Sequence, residues 1–163
     1  EGALSAAAAT ELPVCLMHMQ ASPATMQNTP SYTDVVAEVE AFFQARIAAC
    51  AEVGIHTERL VLDPGFGFGK QLAHNIALFK ALDRFAQRGL PLMVGVSRKT
   101  MIGQLLDCEL DQRVNGSVAL ALLAAQALHG SGGCLLRVHD VKQTVEAVQL
   151  WQAMRTTQAH NNN

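Results

Sequence analysis

The sequence predicts an α/β domain built around a parallel β-sheet, and three observations carry that prediction. Short apolar runs alternate with longer stretches of helical periodicity, giving a helix followed by four strand-helix units. The runs are apolar at every position, the pattern of parallel strands covered on both faces. The chain has 163 residues, 50% of them hydrophobic and 16% charged, which is enough to bury a sizeable core and too apolar for a disordered segment.

Each element has its own signal. After an alanine-rich opening helix, residues 13–19 (PVCLMHM) form a proline-opened first strand. Val36, Val39, Phe43, Ile47 and Cys50 recur at three- and four-residue steps and predict a helix, with Thr33 as N-cap and Gly54 as its stop. Residues 59–62 (RLVL) form a second strand, closed by the Asp63-Pro64-Gly65 turn. A helix over 75–86 places Ile76, Phe79, Leu82 and Phe85 on one face. Residues 91–96 (PLMVGV) form the third strand, followed by a short helix with Met101, Ile102, Leu105 and Leu106. The stretch 118–128 is apolar almost all round and predicts a deeply buried helix. Residues 134–138 (CLLRV) form the fourth strand. Asp140 caps a last helix carrying Val141, Val145, Val148 and Trp151, with Gln143 placed for a capping box. One domain over 1–155 and a polar, disordered tail over 156–163 are expected.

Composition narrows the function. Lys plus Arg number 12 against 14 for Asp plus Glu, a net charge of -2 that argues against nucleic acid as a partner. No apolar run approaches the roughly 20 residues needed to span a bilayer, so no membrane partner is expected. Cys15, Cys50, Cys108 and Cys134 are far apart, with no C-x-x-C pair, and read as reduced, mostly buried thiols of a cytoplasmic protein.

Two architectures fit this order: an open doubly wound sheet or part of a closed (β/α) barrel. Both bind ligands at the carboxyl ends of their strands, which directs attention to four clusters there. The first is Met17-His18-Met19-Gln20, which on periodicity alone reads more readily as core-filling methionines around a satisfied histidine. The second, residues 63–70 (DPGFGFGK), sets a carboxylate before three closely spaced glycines whose backbone is free to approach a ligand. It lacks the order of a dinucleotide fingerprint or a phosphate-binding P-loop. The third, Ser97-Arg98-Lys99-Thr100, offers two cations to a carbonyl or an anion. In the fourth, Arg137 and His139 are two residues apart and project to one side of a strand, where a buried arginine needs a ligand or an internal carboxylate as partner. Together these supply a site for a polar, anionic small molecule.

The segments LPVCLMHMQ, LDPGFGFGK, VGVSRKTMIG and RVHDV, in that order, closely resemble the dihydropteroate synthases over residues 12–154. The resemblance implies a TIM-type (β/α)₈ barrel, of which this chain supplies about the second half as four strand-helix units. It implies a transferase of folate biosynthesis that condenses 6-hydroxymethyl-7,8-dihydropterin pyrophosphate with p-aminobenzoate and releases pyrophosphate. By motif, Met17, Asp63, Lys99 and Arg137 would bind the pterin. Gly67, Phe68, Lys99 and Thr100 would shape the p-aminobenzoate subsite, where sulfonamides compete. Arg137, Val138 and His139 would hold the pyrophosphate, and Lys99, Arg137 and His139 would carry the catalysis. Magnesium is the expected cofactor, its protein ligand belonging to the half of the barrel that this chain does not resemble; no metal ligand is expected here. A homodimer is expected. Ala21 stands where the family has glycine, which would stiffen the first loop. The alternatives are a non-catalytic pterin- or phosphate-binding half-barrel acting as a dimer, and a pterin-binding methyltransferase domain, against which the SRK motif argues.

Overall fold

The computed structural model describes residues 2–20 and 30–157. Helix α1 (Ala3–Ala8) leads into β1 (Val14–Met17), then α2 (Val35–Glu52), β2 (Leu60–Asp63), α3 (Leu72–Lys80), α4 (Leu82–Ala86) and β3 (Leu92–Val94). After these come α5 (Thr100–Leu106), α6 (Val114–Ala127), β4 (Cys134–Leu136) and α7 (Val141–Thr157). The four strands are parallel and lie in the order β1-β2-β3-β4, with Met17 opposite Asp63 and Met93 opposite Leu135. This order decides between the two architectures. A doubly wound sheet reverses its strand order at a switch point, whereas consecutive strands stay adjacent throughout a barrel.

One face of the sheet holds the core. Leu16, Leu60, Leu62, Leu92 and Val94 point to it and pack against Val39 and Phe43 of α2, Leu78 of α3, and Leu82 and Phe85 of α4. The rings of Phe43 and Phe85 meet edge to face, 5.8 Å between centroids. The expectation of a sheet covered on both faces is corrected here. The intervening residues Cys15, Val61, Met93 and Leu135 are half-buried or exposed, because every helix that packs on the strands lies on the other side.

Several local expectations are also corrected. Asp34, not Thr33, caps α2: its carboxylate accepts from the backbone N–H groups of Val36 and Ala37, each at 3.0 Å. The helix expected over 75–86 is two helices meeting at Ala81, and Leu78 enters the core in preference to Ile76. Helix α6 is not deeply buried: Ser117, Ala121 and Ala124 face inward while Leu123 is 50% exposed, because only one side of the helix meets the domain. Leu105 and Leu106 of α5 are likewise exposed. The carboxylate of Asp140 is taken by Arg98, so it does not cap α7, whose first turn closes through Thr144 N–H to the Asp140 carbonyl. Of the four cysteines only Cys50 is fully buried. Helix α7 continues through Thr157, past the expected start of the tail. Ala21 and residues 158–163 lie outside the described residues, and among those described no helix is long and apolar enough to cross a membrane.

Candidate active site

The site grows from the carboxyl ends of the strands. Asp63 is the last residue of β2 and is 3% exposed; one of its oxygens accepts the Gly65 N–H at 2.7 Å. Burial raises its carboxyl above the usual range, against the pull of the Gly65 N–H, Lys99, Arg137 and Lys70. Only that one hydrogen bond holds the carboxylate among the described residues, so its other oxygen is free to take a ligand's N–H.

The glycine-rich loop that follows is built by its glycines. Gly65 has φ +70°, and a Cβ there would collide with the His18 carbonyl, so the loop passes against the end of β1 only because this residue has no side chain. Asn75 of α3 receives the Gly67 N–H at 2.8 Å and fixes the loop from beneath. Lys70, at the loop's end, turns inward and is 5% exposed. Its Nζ lies 3.0 Å from His18 Nδ1 and donates to the Phe68 carbonyl at 3.1 Å. Burial lowers Lys70 to about 8, and burial beside that ammonium lowers His18 to about 4, so the ring is neutral and Nδ1 accepts. His18 is therefore a satisfied interior histidine that braces the loop.

Lys99 enters from the loop after β3. Its ammonium donates to the Phe66 carbonyl and sits 4.6 Å from the centroid of the Phe68 ring. Burial lowers it to about 8, with Arg137 adding to the shift and Asp63 opposing it. Lys99 stays a cation at neutral pH, close to losing its proton.

Arg137 corrects an expectation. It lies one residue beyond β4, where its backbone N–H donates to the Val94 carbonyl at 3.0 Å, and it is exposed, so its guanidinium needs no internal partner; among the described residues neither an ion pair nor a hydrogen bond holds that side chain. Its guanidinium crosses Gly95, where an added Cβ would lie 3.0 Å from Nη2. His139 is turned toward Ser97, whose hydroxyl lies 3.0 Å from Nδ1 and accepts the His139 N–H at 3.2 Å.

Most of the expected residues line two adjoining hollows, and Met17 and Asp63 line neither. Arg137, Val138 and His139 line one of about 510 Å³, and Gly67 and Thr100 line another of about 720 Å³. Lys99 and Phe68 form the wall shared by both. Met17 and Asp63 face one another in register at the ends of β1 and β2. Sequence reasoning missed the residues that hold the site in place: Lys70, Asn75, Ser97, Ser117 and the Arg98–Asp140 pair. Lys70 stood within the quoted glycine motif, but a lysine after glycine reads as solvated until the fold shows it buried.

Among the described residues no three His, Cys, Asp or Glu side chains come together as a metal-binding group. The described residues therefore offer no carboxylate-rich cluster that would fit a magnesium ion.

Residues 1–139 match the model of the pterin binding enzyme family. The dihydropteroate synthase of Escherichia coli (strain K12) is 55% identical over 152 residues, which cover 93% of this chain and 52% of that protein. The corresponding protein of Haemophilus influenzae is 49% identical over 151 residues, 93% of this chain and 54% of its own length. The crystal structure of the Yersinia pestis dihydropteroate synthase with a sulfonamide drug superposes with a TM-score of 0.89 at 52% identity, covering 96% of this chain and 55% of that one. The Xanthomonas albilineans enzyme in complex with 7,8-dihydropteroate gives 0.84 at 50% identity, over 94% of this chain and 56% of the other. The chain spans about half the length of the curated relatives it matches. Four parallel strands in sequential order, with polar residues gathered at their carboxyl ends and a family match over 139 residues, lead to one conclusion: this chain belongs to the pterin-binding enzyme family, with dihydropteroate synthases among its near relatives.

Proposed function

We propose that the chain provides the pterin- and pyrophosphate-binding part of a dihydropteroate synthase, joining 6-hydroxymethyl-7,8-dihydropterin pyrophosphate to p-aminobenzoate. The observation that carries this reading is the meeting of a buried carboxylate with one accessible oxygen (Asp63), a half-buried ammonium (Lys99) and an exposed guanidinium (Arg137) at the ends of adjacent parallel strands.

Asp63 takes the amino and ring N–H edge of the pterin, and Lys99 donates to its carbonyl and ring nitrogen. Arg137 stacks its planar guanidinium on the heterocycle and, with His139 and the Val138 backbone, receives the pyrophosphate. In the reaction the bond between the pterin methylene carbon and the pyrophosphate oxygen breaks, and the oxygen keeps the electron pair. The p-aminobenzoate nitrogen forms the new bond to that carbon and releases one proton. Lys99 and Arg137 favour the step by stabilising negative charge as it gathers on the leaving group. Gly67, Phe68 and Thr100 line the hollow proposed for p-aminobenzoate, which a sulfonamide would share.

The open inner face of the sheet, with Cys15 and Leu135 exposed, favours a second reading: the isolated chain binds pterin pyrophosphate and turns over little. Homodimer formation belongs to the same proposal and is supported by the exposure of Leu123, Leu150 and Met154 on α6 and α7. Sedimentation velocity tests it.

The deciding experiment titrates the chain with dihydropterin pyrophosphate by calorimetry and follows pyrophosphate release when p-aminobenzoate and magnesium are added, with Lys99→Ala alongside. Binding that the substitution weakens supports the reading. No binding by the parent chain overturns it, and robust release by the chain alone overturns the expectation of low turnover.

A further inference from the structure

The loop that delivers Lys99 contains a backbone strain that the site itself does not explain. Arg98 has φ 57°, left-handed in a residue whose Cβ disfavours that region, and it immediately precedes the lysine. Such a conformation persists only where its surroundings hold it, and here the holding groups come from the start of α6. The Arg98 N–H donates to Ser117 Oγ at 2.8 Å, and that hydroxyl in turn donates to the Arg113 carbonyl at 2.6 Å. The Arg113 guanidinium closes the ring by donating from Nη1 to the Arg98 carbonyl at 3.1 Å. Both backbone groups of the strained residue are thereby gripped. Ser117 is 2% exposed and uses its hydroxyl as donor and acceptor at once. Arg113 reaches this position by lying flat on Gly103, where a Cβ would come within 2.5 Å of Nη2. The Arg98 side chain is anchored separately on Asp140, Nη2 to Oδ1 at 2.5 Å.

We propose that Ser117 and Arg113 are positioning residues for Lys99, clamping Arg98 in its left-handed turn so that the lysine crosses the glycine loop and brings its ammonium beside Asp63. The inference rests on the reading of Lys99 as a ligand-binding lysine, and it adds two residues that act on that lysine through the Arg98 backbone: Ser117, which is buried away from both hollows, and Arg113, which also lines the hollow proposed for p-aminobenzoate. The two elements joined are distant in sequence: α6 packs behind the sheet, while Lys99 works in front of it. Released from the clamp, the Arg98 backbone relaxes to an ordinary conformation and redirects the next side chain. The ammonium then leaves Phe66, Phe68 and Asp63 for solvent.

The ionisation of Lys99 reports its place directly. The charged groups facing it are Asp63, Arg137 and Lys70, and burial is the main influence on it. The chain has only four lysines, Lys70, Lys80, Lys99 and Lys142, so carbon-13 labelling at lysine Cε and an NMR pH titration of the full chain resolve it, with Lys99→Arg for assignment. In Ser117→Ala and Arg113→Ala, Lys99 is expected to titrate about one unit or more higher, toward an ordinary lysine, while Lys80 and Lys142 stay where they were. Ser117→Thr, which keeps the hydroxyl, restores the parent titration. The proposal is overturned if Lys99 titrates unchanged in both variants, or if Leu78→Ala, which weakens the core elsewhere, moves it as far. Should Arg113→Ala fail to fold, Ser117→Ala against Ser117→Thr decides alone. The readout needs no ligand: a Lys99 that follows the clamp in a chain that binds no pterin supports the clamp and retires only the ligand reading.

Discussion

The two faces of the sheet are made from the same four strands and behave differently. On one face Leu16, Leu60, Leu62, Leu92 and Val94 are buried beneath the helices. On the other, Cys15, Val61, Met93 and Leu135 stand partly or fully open, and the same side leads into Met17, Asp63 and Arg137 at the strand ends. Side chains alternate along a strand, so a single run of apolar residues serves two purposes: even-numbered positions of β1, β2 and β3 fold the chain, and odd-numbered ones lie on the open face whose strand ends carry Met17 and Asp63. The division explains how a site rich in charge coexists with a core that has none.

The largest expected effect tests the covered face. Phe43→Ala removes a fully buried ring between α2 and α4, and it should lower stability by about 3–5 kcal/mol in urea unfolding. Leu135→Ala, on the open face at 42% exposure, should cost within about 0.5 kcal/mol of nothing. Equal costs would mean that the open face is covered in solution, for instance by a second copy.

Asp63→Asn sharpens the contrast from the other side. Losing a charge-assisted hydrogen bond should weaken pterin binding by about 1.5–3 kcal/mol, read by calorimetry. Because burial raises this carboxyl, the variant should unfold at the same urea concentration as the parent or a higher one. Weaker binding with unchanged or improved stability would mark Asp63 as a residue kept for the ligand; a large loss of stability would mark it as structural.

The third test is pH. Lys70 and Lys99 are both lowered to about 8 in the fold against 10.5 when unfolded. Between those values the unfolded chain holds more protons on these two lysines, so stability should rise as pH increases from about 8 to about 9; above that, Cys15, Cys134 and Tyr32, which burial raises, hold more protons in the fold and offset the rise. Ligand binding should fall over the same rise, as the Lys99 cation is lost. Urea midpoints and calorimetry across that range check both, and Lys99→Met should flatten each slope.

The smallest expected effect lies far from either face. Asp34→Ala removes the cap of α2 and should cost about 1 kcal/mol, with pterin affinity unchanged. A loss of affinity would show that α2 communicates with the site.

Much of the fold was legible in the residues. Three of the four strands fall within the runs that the apolar pattern marks, β2 extends one residue past its run to take in Asp63, and the alternation of strand and helix is as expected. The motifs around Asp63, Lys99 and Arg137 lie at strand ends, as ligand-binding clusters in parallel sheets do. Other features were not legible. Thr33 and Asp34 are both good caps, and only the direction of the entering chain selects Asp34. The run 118–128 reads as buried on all sides because apolarity does not say how many neighbours a helix has. Nothing local distinguishes Lys70, which is buried, from Arg137, which is exposed.

By itself the sequence determined the class of fold, the order of its elements and the residue types at each strand end, because periodicity and turn chemistry act over a few neighbouring residues. Only the tertiary structure decided which sheet face stays open, that Lys70 braces the loop through His18, and that Ser117 and Arg113 grip the backbone beside Lys99. Those outcomes depend on burial and on hydrogen bonds between residues distant in the chain, and both come into being only when the strands are laid side by side.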